Sequence, residues 1–256
     1  FSTLFQDAAG TTPVTAVGQP VGLALDKRLG LALGSELAAA ASTAAGWIPY
    51  LANTVVDDDG AVKITYVNGA DGARVNLTSL TVGSMYRVNF TAKVNTGSVS
   101  VGVNGSGFPN VAISSTSYVD RTLVFLATAT SHVFYMIGAM AAGEIIWIKN
   151  TSVRELAGNH AYQTTSAARP ILQDTPRRID FDAVDDKLIT KLPAQLTGCT
   201  VIRSVPSVGT QILTGQTIPA TYENNTDHCG LIVVNRTLTP SETSAITAEF
   251  NKRAGV

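Results

Sequence analysis

The residues able to do chemistry fall into three groups: acidic runs, histidines near a thiol, and aromatic rings close to turns. The densest acidic run is Asp180, Asp182, Asp185 and Asp186. Residues two apart on a strand share a face, so Asp180 and Asp182 would offer two carboxylates to a metal or a sugar. Asp57-Asp58-Asp59-Gly60 is a second run. A calcium loop of the EF-hand kind needs Asp-x-Asp-x-Asp-Gly and a distal Glu, which neither run has. The competing reading of both is a solvated turn closed by Asx hydrogen bonds. Asp180, Asp182 and Asp185 are therefore the candidate metal ligands, with no resident metal or other cofactor expected. Of His132, His160 and His228, the last adjoins a thiol, in Asp227-His228-Cys229. Neighbours on a strand point to opposite faces, so His228 is badly placed to activate Cys229. No catalytic residue is assigned.

Sugars are recognised by rings that stack on them beside polar side chains. Trp47, Tyr50, Tyr66, Tyr118 and Trp147 are the rings to consider. Trp47 follows Gly46 just before the first strong strands, where a large ring more often plugs a sandwich core than meets solvent. Trp147 lies in Ile145-Ile146-Trp147-Ile148, apolar on both faces, which favours burial. Tyr50 and Tyr118 lie near loops and are the better exposed. The carbohydrate-binding candidates are thus Tyr50, Tyr118 and Trp47.

The elements that must hold these residues are strands. The 256 residues are 45% hydrophobic and only 14% charged, against roughly 25% charged in ordinary soluble domains. A chain rich in Thr, Val and Gly with few charges predicts many short strands and tight turns. Eighteen basic and 19 acidic residues leave a net charge of −1, which argues against a nucleic-acid partner. Disorder is excluded by the apolar content. The most apolar stretch, residues 134–148, is broken by Gly138, Gly143 and Glu144, so no membrane insertion is expected. Phe1-Ser2-Thr3-Leu4-Phe5 has neither Met nor a basic segment, so no signal peptide is visible and the chain reads as a fragment or a processed product. Cys199 and Cys229 lack metal-ligand spacing.

The pattern predicts an all-β protein: an antiparallel jelly-roll-like sandwich, then a smaller β unit ending in one α-helix. Residues 1–33 read as a connector or arm, with a turn at Asp7 and Gly10. Residues 34–156 carry strands at 62–67, 73–77, 85–94, 98–103, 120–127, 132–140 and 145–155. Their separators include Gly69, Asp71-Gly72, Gly83 and Gly105-Ser106-Gly107. Asn95-Thr96-Gly97 reads as a hairpin turn. Residues 157–176 read as a linker, and 177–256 as shorter strands. The closing helix has Thr239 as cap, Pro240 first and Glu242 three residues after the cap.

Several strings resemble known proteins. Leu4-Phe5-Gln6-Asp7-Ala8-Ala9-Gly10-Thr11-Thr12-Pro13-Val14, then Gln19-Pro20-Val21-Gly22-Leu23, resembles a segment recurrent in tail proteins of bacteriophages and prophages. Leu33-Gly34-Ser35-Glu36-Leu37, Gly46-Trp47 and Thr151-Ser152-Val153-Arg154-Glu155 resemble the frame of their carbohydrate-binding-module-like jelly roll. Residues 179–188 and 231–242 resemble the opening and close of a concanavalin/laminin-G-like sandwich, shorter here than a full one. The resemblance implies a tail fibre or receptor-binding protein of the virion, made in the bacterial host cytoplasm and without enzymatic activity. It implies a homotrimer, contacts with other tail proteins, and attachment to a host cell-surface glycan. Thiols made in that cytoplasm stay reduced, so Cys199 and Cys229 are expected unbridged. Two alternatives remain. One is a structural spacer without a ligand. The other is a polysaccharide-cleaving tailspike, for which Asp180 with Asp182 would be the only carboxylate pair.

Overall fold

The computed structural model describes residues 3–29, 31–67, 71–104, 109–138 and 140–256. Phe1, Ser2 and the separators Gly69 and Gly105-Ser106-Gly107 lie outside the described residues. The chain opens with β1 (Leu4–Phe5) and β2 (Leu23–Ala24). Then come β3 (Leu33–Glu36), β4 (Ile48–Pro49), β5 (Thr54–Asp58), β6 (Ala61–Thr65), β7 (Ala73–Leu77) and β8 (Met85–Val94). β9 (Val99–Val103), β10 (Asn110–Ile113), β11 (Val119–Leu126), β12 (His132–Ile137) and β13 (Ile145–Leu156) follow. The remaining strands are β14 (Ala161–Tyr162), β15 (Ile171–Gln173), β16 (Arg178–Asp180), β17 (Leu188–Lys191) and β18 (Leu196–Val205). Last come β19 (Gly209–Ile218), β20 (Thr221–Asn224), β21 (Gly230–Val234) and helix α1 (Pro240–Ala254). The protein is all-β apart from this helix and short 3₁₀ turns, and none of the described helices is long and apolar enough to cross a membrane.

Two compact units divide the chain: Arg28–Gly158, and Phe1–Lys27 with Asn159–Val256. The first is an antiparallel jelly-roll sandwich. One sheet runs β11-β8-β13-β6-β5, with β3 also on β13, and the other runs β10-β9-β12-β7-β4. Alternation places Val88, Phe90, Ala92 and Val94 of β8 in the core and Arg87, Asn89 and Lys93 outside it. Phe134 and Met136 of β12 face them from the opposite sheet. The rings interlock, with Phe90 at 5.5 Å and Trp47 at 6.0 Å from Phe134. Pairs of this kind are worth about 0.5–1.5 kcal/mol beyond burial.

β13 carries two phases of alternation. Ile146 and Ile148 point inward, yet so does Val153. The pairing with β8 slips between Lys149 and Ser152, where Asn150 has φ 54°. A bulge of this kind inserts a residue and flips which side faces the core. Glu36 ties β3 to the strand just past it. Its carboxylate accepts from Ser152 Oγ (2.5 Å), Val153 N (2.7 Å), Ala38 N (2.9 Å) and Arg154 Nε (3.1 Å).

Asn95-Thr96-Gly97 is not a hairpin turn. β8 and β9 lie in different sheets, and the segment carries the chain across the sandwich. Asn95 fixes the exit, because its N–H donates to Ile145 O and its Oδ1 accepts from Ile145 N (2.7 Å). The turn at Asp57-Asp58-Asp59-Gly60 is also narrower than the run suggests. Asp57 and Asp58 belong to β5, and only Asp59 (φ 48°) and Gly60 (φ 73°) reverse the chain.

The second unit draws on both ends of the sequence. β1 and β2 are part of a sheet ordered β1-β2-β14-β17-β20. Val14 and Val21 share a small core with Leu172, Phe181 and Leu188. Residues 1–33 are therefore not a separate arm, nor are residues 157–176 a plain linker, since β14 and β15 lie there. Strands of two or three residues show no periodicity for a sequence pattern to reveal. The expected Asp7 turn forms, with Asp7 accepting from Thr11 N, Thr11 Oγ1 and Thr12 N at 2.8–3.1 Å. A further sheet, β19-β18-β21, packs on α1. Thr239 and Glu242 form the capping box, and Gly255 (φ 82°) ends the helix. Arg236 and Thr239 together hold the Glu242 carboxyl at about 2. Cys199 is separated from Ser204, whose carbonyl accepts from Cys229 N, by about 16 Å of strand. That is far beyond disulfide reach.

The Glu36 clamp has a measurable consequence. Burial pushes its carboxyl up, but the four donors outweigh this and hold it below its ordinary value of 4.5. Its contribution is thus complete above about pH 4.5 and lost as pH falls through the lower folded value. Glu36→Ala, which strands Val153 N and Ala38 N, is expected to lose about 2–3 kcal/mol in urea unfolding at pH 7. The gap to wild type should narrow below pH 4.5.

Candidate functional site

The outward side of the five-stranded jelly-roll sheet β10-β9-β12-β7-β4 gathers rings and polar groups suited to a ligand. β7 alternates so that Ala73 and Val75 are buried and Arg74 and Asn76 exposed. β12 buries Phe134 and Met136 and turns Val133 and Tyr135 out. The register sets Tyr135 directly across from Arg74 on one side and Gly102 on the other. Tyr50, 44% exposed, stands beyond β4, anchored by its N–H to Gly72 O (3.0 Å). Tyr50, Asp71, Arg74, Asn104, Val133 and Tyr135 line a depression of about 240 Å³.

Its walls are held by side chains bonded to backbone. Asn104 receives Val133 N at 2.8 Å, and Asp71 receives Gly138 N at 2.8 Å. Asn53 donates to Asp71 O and Gly72 O, and accepts from Val67 N. Gly72 is required, since a Cβ there would collide with the Tyr66 hydroxyl. Tyr66 is fully buried, with its hydroxyl unpartnered among the described residues. Burial, then Asp71 and Glu144, push that hydroxyl well above the ordinary phenol range. Arg74 makes no ion pair among the described residues, so its donors are available. Two phenol rings flanking a guanidinium, an amide and a carboxylate suit a hydroxylated ring compound: faces for stacking, donors and acceptors for vicinal hydroxyls.

The predicted candidates meet different fates. Tyr50 lies in this depression. Trp47 is only 4% exposed; it packs on Phe134 and donates Nε1 to Ala41 O at 3.0 Å. It is a core residue and no sugar platform. Tyr118 is 36% exposed but stands on the other sheet, with Lys93 and Lys149 over its ring. Trp147 is not buried as its apolar neighbours suggest, because alternation sends it outward between Lys63 and Lys93. Tyr135 was missed; the signal was the alternation in Phe134-Tyr135-Met136, which exposes Tyr135 once Phe134 is inward.

The acidic run divides. Asp180 leaves the group to pair with Arg178 at 2.7 Å, and Asp182 lies past the end of β16, so the two do not share a strand face. Asp182, Asp185 and Asp186 keep carboxylate oxygens within 4.8 Å of one another. Asp182 accepts from the N–H groups of Val184, Asp185 and Asp186 at 2.8–3.2 Å, the Asx closure of a turn. Those bonds, led by Val184, hold its carboxyl low, whereas burial followed by its acidic neighbours raises that of Asp186. His228 stacks on Phe181 at 5.9 Å and points Nδ1 at Thr226 O. Burial lowers the His228 pKa and raises that of Cys229, so neither is activated.

No family model matches the chain, and no curated protein matches it. Solved structures similar to it include the N-terminal cellulose-binding domain from Cellulomonas fimi beta-1,4-glucanase C. It is 19% identical over 47% of this chain and 95% of that one, with a TM-score of 0.36. The CBM22-1 xylan-binding domain from Paenibacillus barcinonensis is 11% identical over 50% of this chain and 96% of that one, at 0.38. A family 29 carbohydrate-binding module is 25% identical over 44% and 83%, at 0.32.

Burial separates Trp47 from Tyr50 experimentally. Trp47→Ala is expected to cost about 3–5 kcal/mol in chemical unfolding. Tyr50→Ala should change stability by no more than about 0.5 kcal/mol.

Proposed function

We propose that the protein is a non-catalytic attachment component of a bacteriophage or prophage tail, whose jelly roll binds a host cell-surface glycan. The observation that carries the binding part is the depression between Tyr50 and Tyr135. Two outward phenol rings flank Arg74, Asn104 and Asp71, and the sheet beneath is rigidly packed. The tail part rests on the strings around Gln6-Asp7-Ala8-Ala9-Gly10 and Leu33-Gly34-Ser35-Glu36-Leu37. The pairing of Asp180 with Arg178, away from Asp182, weighs against the tailspike alternative, which needs two carboxylates in one groove.

In this reading the chain works as a homotrimer in the virion, joined to other tail proteins. The long strand β19 pairs only with β18 among the described residues; Asn251 of α1 takes the Thr210 N–H at its start, and the rest of its outer edge has no strand partner. Open edges invite pairing with another chain, and a threefold arrangement closes them by one repeated contact. Val208 and Leu51 add exposed apolar surface.

The test uses the full chain, fluorescently labelled, on an array of bacterial surface glycans. Wild type should retain a hydroxyl-rich glycan, with Tyr50→Ala and Tyr135→Ala each weakening binding by about tenfold or more. Retention of no glycan would favour the spacer alternative; new reducing ends would favour the tailspike. Light scattering should give about three times the chain mass of 26.7 kDa. A concentration-independent mass near 26.7 kDa would rule out the trimer.

A further inference from the structure

The outward side of the six-stranded sheet carries a different cluster. Alternation sends Val62, Ile64, Ile146, Ile148, Ala92 and Val94 into the core, so Lys63, Trp147, Lys149 and Lys93 face away from it. Trp147 is in register with Lys63 on one neighbour strand and Lys93 on the other. Tyr118 immediately precedes β11, whose Val119 pairs with Ala92. Lys149 Nζ lies 4.0 Å and Lys93 Nζ 4.7 Å from the centre of the Tyr118 ring. Lys93 Nζ is also 4.8 Å from the Trp147 ring, and Lys63 Nζ 5.9 Å.

Three ammonium groups therefore share two rings. Lys63 has a counter-ion, for Asp58 lies 4.0 Å from it and accepts Trp147 Nε1 at 2.8 Å. Lys93 and Lys149 make no ion pair among the described residues. Ring faces attract each ammonium, yet two like charges over one ring still repel, and an anion between them removes that repulsion. The acidic side chains of this face are Asp58 and Asp59 at the β5–β6 turn, whose charges reach Tyr118, and Asp120 of β11, which stands in line with Thr91 and Lys149 and accepts from Thr91 Oγ1 at 2.6 Å.

We propose that this face binds an acidic polysaccharide in which carboxylate-bearing sugars alternate with neutral ones. Lys93 and Lys149 pair with the sugar carboxylate beside the exposed Tyr118 ring, and Asp58 and Asp59 accept hydroxyls of the neutral neighbour. A nucleic acid, charged at every nucleotide, would set a phosphate against those two aspartates. The proposal stands apart from the groove at Tyr50, on the opposite sheet of the sandwich.

The probe is a hyaluronan oligosaccharide, titrated calorimetrically into the full chain at low ionic strength. Binding is expected to weaken with added salt and to fall about tenfold or more in Lys93→Gln/Lys149→Gln. Methyl-esterified oligosaccharide should lose as much against wild type, a comparison that needs no variant to fold. Tyr50→Ala should bind it like wild type, so failure of the groove and failure of this face remain distinguishable. No binding of the acidic oligosaccharide, equal binding of the ester, or equal binding by the double variant would overturn the proposal. So would tighter, lysine-dependent binding of a single-stranded DNA oligonucleotide.

Discussion

β8 and β13 lie side by side at the middle of the six-stranded sheet, and their antiparallel pairing sets the direction of every side chain around them. Because side chains alternate, one register decides both what fills the core and what meets solvent. Phe90 can reach Phe134 only if Lys93 and Arg87 point away, and Ile146 and Ile148 can close the core only if Trp147 does not. The bulge at Asn150 changes that phase within one strand, and Glu36 secures the strand beyond it. A carboxylate with four donors is costly to replace, and it sits where the alternation restarts.

The same rule on the opposite sheet makes the candidate site. Phe134 and Met136 are committed to the core, so Tyr135 and Val133 must be outside, level with Arg74 across the pair. The outward faces then differ in character. One offers two phenol rings and an uncommitted guanidinium, the other three lysines gathered on Tyr118 and Trp147.

The sequence revealed long strands well and short ones poorly. β7 and β8 were legible residue for residue, and so was α1, because Thr239, Pro240, Glu242 and Gly255 each satisfy a local backbone need. β1 showed only as a strand leading into the Asp7 turn, and β2 and β14 were not legible, since strands two residues long are stabilised only by partners distant in sequence. Asn95-Thr96-Gly97 has hairpin chemistry, but turn residues cannot say whether the flanking strands pair with each other or with others. At the site, Tyr50 was legible from its position near a turn. Trp47 and Trp147 were harder. The apolar residues around Trp147 hid its alternation, and the burial of Trp47 depends on Phe134, far along the chain.

The central claim is that the outward face of the five-stranded sheet is the glycan site, and residue-resolved NMR tests it most directly. Amide shifts of the isotope-labelled full chain would be followed while a neutral glycan retained by the protein is added. The account predicts that the largest changes fall on Tyr50, Arg74, Asn104, Val133 and Tyr135, with β5 and β6 unmoved. Changes centred instead on the turn holding Asp182, Asp185 and Asp186, with the five-stranded sheet silent, would contradict it.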